Sequence, residues 1–292
     1  MNLSLPQKRK NKSIFASIIF FFFLSVLPQL ASAETAIQVK QGAIARMTLR
    51  LSAPISSLVG RFKNRNIPYF ETQKGVYIAL LGIDMDQALG PLPFVSTWKS
   101  AGKTFTQKNI IEVQAAKFGL QELTLPKKKV DLDAPTLKRV RSEKSLMKAA
   151  FAESQPERLW QGTFIAPVTG RRQGTFGRRR LINGKPRRSH TGEDISAPTG
   201  TPILAPNAGK VVLVGHFFFN GRSVVIDHGL GLISMYFHLS AVDVEKGAFV
   251  KTGEQIGLVG KSGRVTGPHL HWGMRLNGAK VDPYAFVDVR LD

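Results

Sequence analysis

Four histidines and one aspartate fall into three compact clusters whose residue types suit metal-dependent hydrolysis. In chain order the clusters are His190 with Asp194, His238 alone, and His269 with His271. Two imidazoles and one carboxylate can form a three-ligand zinc site with an open fourth position, which is typical of catalytic rather than structural zinc. Two histidines remain, and an imidazole outside the metal shell can transfer protons. The pattern therefore predicts a hydrolase with one zinc ion per chain.

The last cluster is predicted to lie on a β-strand, because apolar and polar residues alternate around it. Alternate side chains of a strand share a face, so His269 and His271 are expected to project together into a cleft. The opposite face would be a core face, formed by Leu270, Trp272, Met274 and Leu276.

The same two-residue period surrounds the middle cluster. It places His238 on one face of a strand with Tyr236, and Phe237 and Leu239 on the opposite, apolar face. If this strand is adjacent to the one that begins at His269, the two imidazoles are expected to be neighbours.

The first cluster, residues 190–194, has a spacing that would converge on a helix, but Gly192 favours a loop that leads into a strand. The cluster is therefore not the helical His-Glu-x-x-His motif. Glu193 is accordingly expected at the rim of the cleft and not as the general base. The other two histidines, His216 and His228, lie near predicted turns and are expected to be structural or exposed.

A strongly basic stretch, residues 171–188, ends just before the first cluster. Arg179, Arg180 and Arg188 are the candidates to line the rim of the cleft and bind substrate carboxylates through bidentate contacts. The alternative is a solvated basic loop, which the sequence leaves open.

These motifs together resemble the lysostaphin/LytM-type family of zinc endopeptidases, which cut peptides of peptidoglycan. The resemblance covers about residues 163–286. It rests on Phe176-Gly177-Arg178, His190-x-Gly-x-Asp194, Tyr236-Phe237-His238-Leu239-Ser240 and Thr266-Gly267-Pro268-His269-Leu270-His271.

The resemblance implies a role for each residue of the clusters. His190, Asp194 and His271 would be the zinc ligands, and His238 and His269 the catalytic histidines. One of this pair would accept the proton of the zinc-activated water and the other would steady the tetrahedral intermediate; the sequence does not assign them. The implied substrate is the peptide cross-link of peptidoglycan, and in a Gram-negative envelope this is the D-alanyl–diaminopimelate bond.

The elements that must position these residues predict a mainly β protein. Residues 34–125 are expected to form a small β-sandwich, and residues 126–160 a basic linker with a helix at about 134–152. Residues 161–292 are expected to form an all-β, antiparallel peptidase domain. The predicted strands of the first region are Met47–Leu51, Val76–Ile83, Asn109–Val113 and Leu120–Leu125. The segment Gly90-Pro91-Leu92-Pro93 is expected to separate two strands of this region. In the last region, Asn220-Gly221 predicts a hairpin turn.

Composition and the N-terminal segment predict an exported protein of the cell envelope. Cysteine is absent, so disulfides and thiolate metal sites are excluded. Residues 1–33 combine four basic residues, an apolar run and Ala31-Ser32-Ala33, which predicts a secretory signal peptide; an uncleaved anchor is the alternative. Removal of those four residues lowers the formal net charge from +21 to +17. A basic protein in the periplasm or envelope is expected to meet peptidoglycan and no nucleic acid.

Two questions stay open at this level. The first is whether the chain is instead a non-catalytic LytM-type protein that binds the wall or activates a wall amidase, although such members typically lose metal ligands. The second is whether the N-terminal region restrains the cleft, targets the protein to the wall, or binds a regulatory partner in the envelope. Residues Leu137, Val140, Met147 and Phe151 give the connecting helix an apolar stripe, for which the flank of the peptidase domain is one docking candidate.

Overall fold

The structure is a computed structural model and describes residues 1–2, 36–127, 130–152 and 154–287. The predicted signal peptide lies, apart from its first two residues, outside the described residues. Among the described helices, none has the length and apolarity that crossing a membrane would require. The described part of the chain is mainly β with one α-helix, as predicted.

Seven strands form the N-terminal sheet in the order β1-β7-β6-β3-β4-β5-β2. Strand β4 joins two halves of this sheet, because its first residues pair with β3 and its last residues with β5. Side chains from all seven strands meet in one core that includes Phe62, Phe94 and Ile111. The strands are β1 Ile37–Lys40, β2 Ile44–Arg50, β3 Ser57–Phe62, β4 Arg65–Gln73, β5 Val76–Gly82, β6 Gly90–Ser100 and β7 Lys103–Gln114.

The expectation that Gly90 to Pro93 separates strands is wrong, since these residues begin β6. Proline cannot donate a ladder hydrogen bond and is tolerated at a sheet edge. Pro91 and Pro93 pair only with β7, because the ladder between β6 and β3 begins at Phe94. This part of β6 therefore has an open edge, which the prolines can face.

The predicted strand near residue 120 pairs outside the N-terminal sheet. Strand β8, Leu120–Leu123, runs parallel to β10, Arg179–Ile182, which also pairs with β11, Lys185–Arg187. Phe118 packs so closely on Gly177 that a Cβ at this glycine would overlap the phenyl ring. The end of the predicted N-terminal domain is thus built into the region that precedes His190.

The connecting helix α1 spans Ala134–Ala152, as predicted. Asp133 caps it, since its carboxylate accepts a 2.8 Å hydrogen bond from the Thr136 amide. Met147, Ala150 and Phe151 pack against an apolar cluster on the C-terminal sheet that contains Phe217, Met235 and Phe237. The helix therefore docks on the C-terminal region, although Leu137, at its other end, is 40% exposed.

The large C-terminal sheet has the order β18-β14-β15-β16-β20-β12-β9, with β21 paired to β20. All of these pairs are antiparallel, as predicted, and β14 and β15 form the hairpin expected at Asn220-Gly221. A second sheet has the order β13-β19-β17. The bounds are β9 Arg171–Arg172, β12 Gly192–Ser196, β13 Pro202–Leu204, β14 Gly209–Phe217, β15 Gly221–Gly229, β16 Leu232–Leu239, β17 Ala241–Val242, β18 Phe249–Val250, β19 Gln255–Leu258, β20 Leu270–Leu276 and β21 Ala279–Val281, followed by a 3₁₀ turn at Pro283–Phe286.

One large core lies on the face of this sheet that carries Leu270, Trp272 and Met274. Phe70 of the N-terminal sheet reaches the same core and meets Trp160 edge-on, with ring centroids 5.8 Å apart. The described residues from 36 to 287 accordingly belong to one compact unit.

His228 is a buried structural residue in this core, and it makes the stability of the fold sensitive to acid. Its Nδ1 lies 2.7 Å from the Ala208 carbonyl oxygen and its Nε2 lies 2.8 Å from Ser234 Oγ. Burial lowers the pKa of His228 to about 4, whereas in the unfolded chain an imidazole titrates near 6.5. The contribution of His228 to stability is therefore complete above pH ~6.5 and is lost as the pH falls towards 4.

We expect His228 to account for about 3 kcal/mol of the fall in unfolding free energy between pH 6.5 and 4, since each pKa unit corresponds to about 1.4 kcal/mol. Urea unfolding across this range should show a shallower pH dependence in His228→Gln. The exposed His216 serves as the control, and His216→Gln should keep the full dependence. Equal slopes in all three proteins would contradict the assignment.

Candidate metal centre and catalytic cleft

The side chains of His190, Asp194 and His271 converge at a single buried point. His190 Nε2 lies 2.8 Å from His271 Nδ1, and Asp194 Oδ1 lies 3.1 Å and 2.9 Å from these two nitrogens. Donor atoms on a tetrahedral zinc ion, each ~2.0–2.1 Å from the metal, are separated by roughly 3.3 Å. Among the described residues, these three form the group that could hold a metal ion.

Sheet register brings two of these groups together. Asp194 of β12 and His271 of β20 are direct cross-strand partners, and such partners on one face have neighbouring side chains. Gly192 is required beside them, because a Cβ at this position would lie 2.7 Å from His271 Nε2. His190 lies just before β12, in the predicted loop that leads into a strand.

A buried turn at Thr175 fixes the ligand loop. The Thr175 carbonyl oxygen lies 3.2 Å from His190 Nδ1, and the Thr175 hydroxyl accepts a 2.8 Å hydrogen bond from the Asp194 amide. A carbonyl that holds the second nitrogen of an imidazole sets its tautomer and orientation. The Nε2 lone pair of His190 is consequently directed to the point where the three side chains meet.

The expectation that Glu193 lies at the rim is wrong, because its side chain is fully buried. Because side chains alternate along a strand, Glu193 points away from the face of Asp194 and shares the buried face of Ile195. Its carboxylate accepts hydrogen bonds of 3.0 Å from the Thr175 amide and 3.2 Å from the Phe176 amide. Glu193 thus supports the turn that orients His190.

His238 reaches the cleft through a β-bulge. Phe237 and His238 together oppose Ser223, because the register between β15 and β16 shifts at this point. His238 adopts a φ of 72°, an uncommon conformation for a residue with a side chain. The bulge corrects the predicted faces, since Leu239 joins Tyr236 in the core and His238 turns to the ligand side.

The two histidines outside the ligand group are neighbours, and each presents Nε2 for chemistry. The rings of His238 and His269 have centroids 4.9 Å apart. Nδ1 of His238 lies 2.9 Å from the Ser262 carbonyl oxygen, and Nδ1 of His269 lies 2.9 Å from that of Gly267. A carbonyl accepts only, so Nδ1 carries the proton in each ring and Nε2 keeps its lone pair.

Burial and neighbouring charges keep His190 and Asp194 in their metal-binding protonation states. Burial lowers the pKa of His190 to about 4 and that of His238 to about 3. Burial alone would raise the pKa of Asp194, but hydrogen bonds and charges from His190 and His271 outweigh it and hold this pKa far below its usual range. Neutral imidazoles and an ionised carboxylate are the forms that bind a metal ion. The donor set therefore fits zinc.

The three predicted rim arginines have different positions. Arg180 lines the cleft, where burial lowers its pKa and the charge of Asp194 raises it. Arg179 precedes it on β10, is exposed and does not line the cleft; Arg188 is also exposed and outside the lining. Strand alternation explains the contrast between Arg179 and Arg180.

Several cleft residues were not predicted from the sequence. The cleft has a volume of about 210 Å³ and is lined by Gln121 and Leu123 of β8, by Phe219 of the β14–β15 loop, and by Arg264. Arg264 lies five residues before His269 in a glycine-rich loop, which is a local signal for a cleft residue. No local signal marks Gln121, because it reaches the cleft only through pairing of β8 with β10.

Helix α1 supports one wall of the cleft through Glu143. The Glu143 carboxylate accepts hydrogen bonds of 3.0 Å and 2.9 Å from the Phe218 amide, and Arg139 Nε holds it at 2.7 Å. The next residues of this loop, Phe219 and Asn220, line the cleft, and the Asn220 carbonyl oxygen accepts a 2.8 Å hydrogen bond from the His238 amide.

We expect Glu143→Ala to lower the unfolding free energy by about 2 kcal/mol, because it removes a charged acceptor from a partly buried amide. Chemical denaturation should measure this loss. Glu157→Ala, at an exposed glutamate, is the matched control and is expected to change stability by less than about 0.5 kcal/mol. Equal stability of the two variants would contradict a supporting role for Glu143.

Comparison with known proteins agrees with this geometry. Residues 188–283 match the model of peptidase family M23. A crystal structure of a Pseudomonas aeruginosa protein described as an M23 peptidase is 31% identical, covers 85% of this chain and 94% of its own, and superimposes with a TM-score of 0.66. The chain belongs to peptidase family M23.

Two curated relatives each match about a third of this chain. Peptidoglycan DD-endopeptidase ShyA of Vibrio cholerae is 43% identical over 93 residues, which are 32% of this chain. DD-carboxypeptidase/endopeptidase Mpg of Neisseria meningitidis is 46% identical over 96 residues, which are 33% of this chain. In both cases the match spans 22% of the relative's length.

Proposed function

We propose that this M23 protein is a zinc-dependent endopeptidase that hydrolyses peptide cross-links of peptidoglycan during cell-wall remodelling. The observation that carries the proposal is the convergence of five side chains on one cleft: His190, Asp194 and His271 as a ligand group, with His238 and His269 beside it. The names of the relatives support peptidoglycan as the substrate.

The three ligand residues would hold one zinc ion. When bound, zinc supplies Lewis-acid chemistry, which lowers the pKa of water and polarises a carbonyl oxygen. His238 and His269 each direct Nδ1 at a backbone carbonyl, so their Nε2 atoms are the positions at which a proton can be accepted or returned. One imidazole would accept the proton of the attacking water. The other would steady the oxygen that gains charge on the scissile carbonyl when it is in its imidazolium form, because the neutral ring carries its one proton on Nδ1 and has none at Nε2 to donate.

Digestion of purified sacculi by the mature chain tests the proposal. We expect mass spectrometry to detect stem peptides released from D-alanyl–diaminopimelate cross-links, with intact glycan strands. Pre-treatment with a chelator should abolish release, and added zinc should restore it. A protein that holds zinc but releases no peptide would favour the alternative of a non-catalytic wall-binding protein or amidase activator.

Export to the periplasm or cell envelope is part of the same proposal, and it rests on the sequence of residues 1–33. Processing is expected after Ala33. The mass and N-terminal sequence of the protein recovered from cell envelopes test this. A mature protein that starts at Met1 would indicate an anchor instead of a cleaved signal peptide.

A further inference from the structure

Two arginines give the cleft beside the ligand group a positive lining. Arg180 and Arg264 both line it, and among the described side chains of the lining Asp194 is the sole acidic one. Because Asp194 belongs to the ligand group, its charge would be committed to the metal. Arg180 thus lies in a partly buried space where an anion from outside the chain would complement it.

Arg180 is held in place from outside the peptidase domain. Its Nε donates a 2.8 Å hydrogen bond to Gln121 Oε1. Within the described part of the chain, its two terminal amino groups have neither a hydrogen-bond partner nor an acidic partner in contact. A guanidinium with paired Nε and available amino groups matches a carboxylate ligand, which binds arginine in a bidentate manner.

Arg264 approaches from the other wall. Its guanidinium carbon lies 4.0 Å from the centre of the Phe219 ring, and its amide donates a 2.9 Å hydrogen bond to the Phe219 carbonyl oxygen. Burial lowers the pKa of Arg264, and the positive charges of Arg180 and Arg187 lower it further. Like charges brought together in a partly desolvated cleft repel each other, and an anion bound between them relieves that repulsion.

We propose that Arg180 and Arg264 form a subsite for a free carboxylate of the peptide substrate, and that Gln121 is the positioning residue that orients Arg180. The subsite rests on the proposed function, because that function supplies an acidic peptide at this cleft. The subsite would also involve the N-terminal region in substrate binding, since Gln121 belongs to β8 and precedes the connecting helix. The ligand class is a peptide with an unamidated carboxylate next to the scissile bond.

Binding of a soluble stem tetrapeptide tests the subsite without reliance on catalysis. Calorimetry on the zinc-loaded mature chain would compare the tetrapeptide that has a free diaminopimelate carboxylate with the same peptide amidated at that carboxylate. Loss of one charge-assisted contact corresponds to about 10- to 100-fold weaker binding. We expect this difference for the unmodified protein, so the main comparison needs no variant.

Substitutions then assign the effect to residues. Arg180→Gln and Arg264→Gln should each reduce the preference for the free carboxylate by about tenfold or more, and Gln121→Ala should reduce it less. Gln121→Ala should have no additional effect in Arg180→Gln. The matched control is Arg179→Gln, because Arg179 precedes Arg180 on the same strand, faces away and is exposed. In cleavage assays, KM should rise more than kcat falls.

The outcomes separate the subsite from the proposed activity. Equal affinity for the free and amidated peptides, or an Arg264→Gln protein that keeps the full preference, would overturn the subsite even if sacculi are cleaved. Arginine-dependent binding without any cleavage would leave the subsite standing and count against the endopeptidase proposal. Variants that lose stability but keep the preference would show that the arginines only support the cleft walls.

Discussion

Replacement of His271 by alanine is expected to abolish zinc binding and all metal-dependent activity while the fold is retained. Nδ1 of His271 lies within 2.8–2.9 Å of the other two ligand side chains, so its loss leaves two protein donors. The face of β20 that supports the core carries Leu270, Trp272 and Met274 and is untouched. Elemental analysis of the purified variant should give well under one zinc per chain.

The fold of the variant needs an independent readout. Zinc that binds only the folded protein raises the thermal midpoint by mass action, so the unmodified protein should show a zinc-dependent shift and His271→Ala should show none. His216→Ala is the control, because His216 is exposed and remote from the ligand group in sequence and contacts. Full zinc occupancy in His271→Ala would show that the ligand assignment is wrong.

Regular strands made the geometry of β20 predictable. Every second residue from Leu270 to Leu276 is apolar and buried, and in a strand this fixes the direction of the residues between them. His271 therefore had to face away from the core, whatever the neighbouring strands were. The helix was predictable for a similar reason, since Asp133 and an apolar stripe define its start and its docking side.

Predictions failed where the backbone departs from a regular pattern or where pairing is distant in sequence. The bulge at Phe237 and His238 inserts one residue, so the face assignment is reversed from His238 onward. Glu193 was expected at the rim of the cleft, but the strand period turns it into the interior, where its carboxylate accepts a hydrogen bond from the Thr175 amide. Pairing of β8 with β10 depends on chain topology that local periodicity does not encode.

Removal of either histidine outside the ligand group is the second prediction with a large effect. His238→Ala and His269→Ala are each expected to keep one zinc per chain and to lose activity by ~10²–10⁴-fold, which is the usual contribution of a general acid or base. Zinc should be retained because neither ring belongs to the group of three donors that converge. The measurement pairs elemental analysis with the rate of release of peptides from sacculi.

The two variants also test whether the histidines act as a pair. Their rings are 4.9 Å apart and both Nδ1 atoms are held by carbonyl oxygens, so each Nε2 can serve the same reacting group. If one imidazole handles the proton and the other steadies the developing charge on the carbonyl, both act in the same step. The double variant should then lose less than the product of the two single losses, because residues that act as a unit are not additive. Near-normal cleavage by either single variant, with zinc in place, would remove that histidine from the mechanism and leave its partner as the sole proton carrier beside the ligand group.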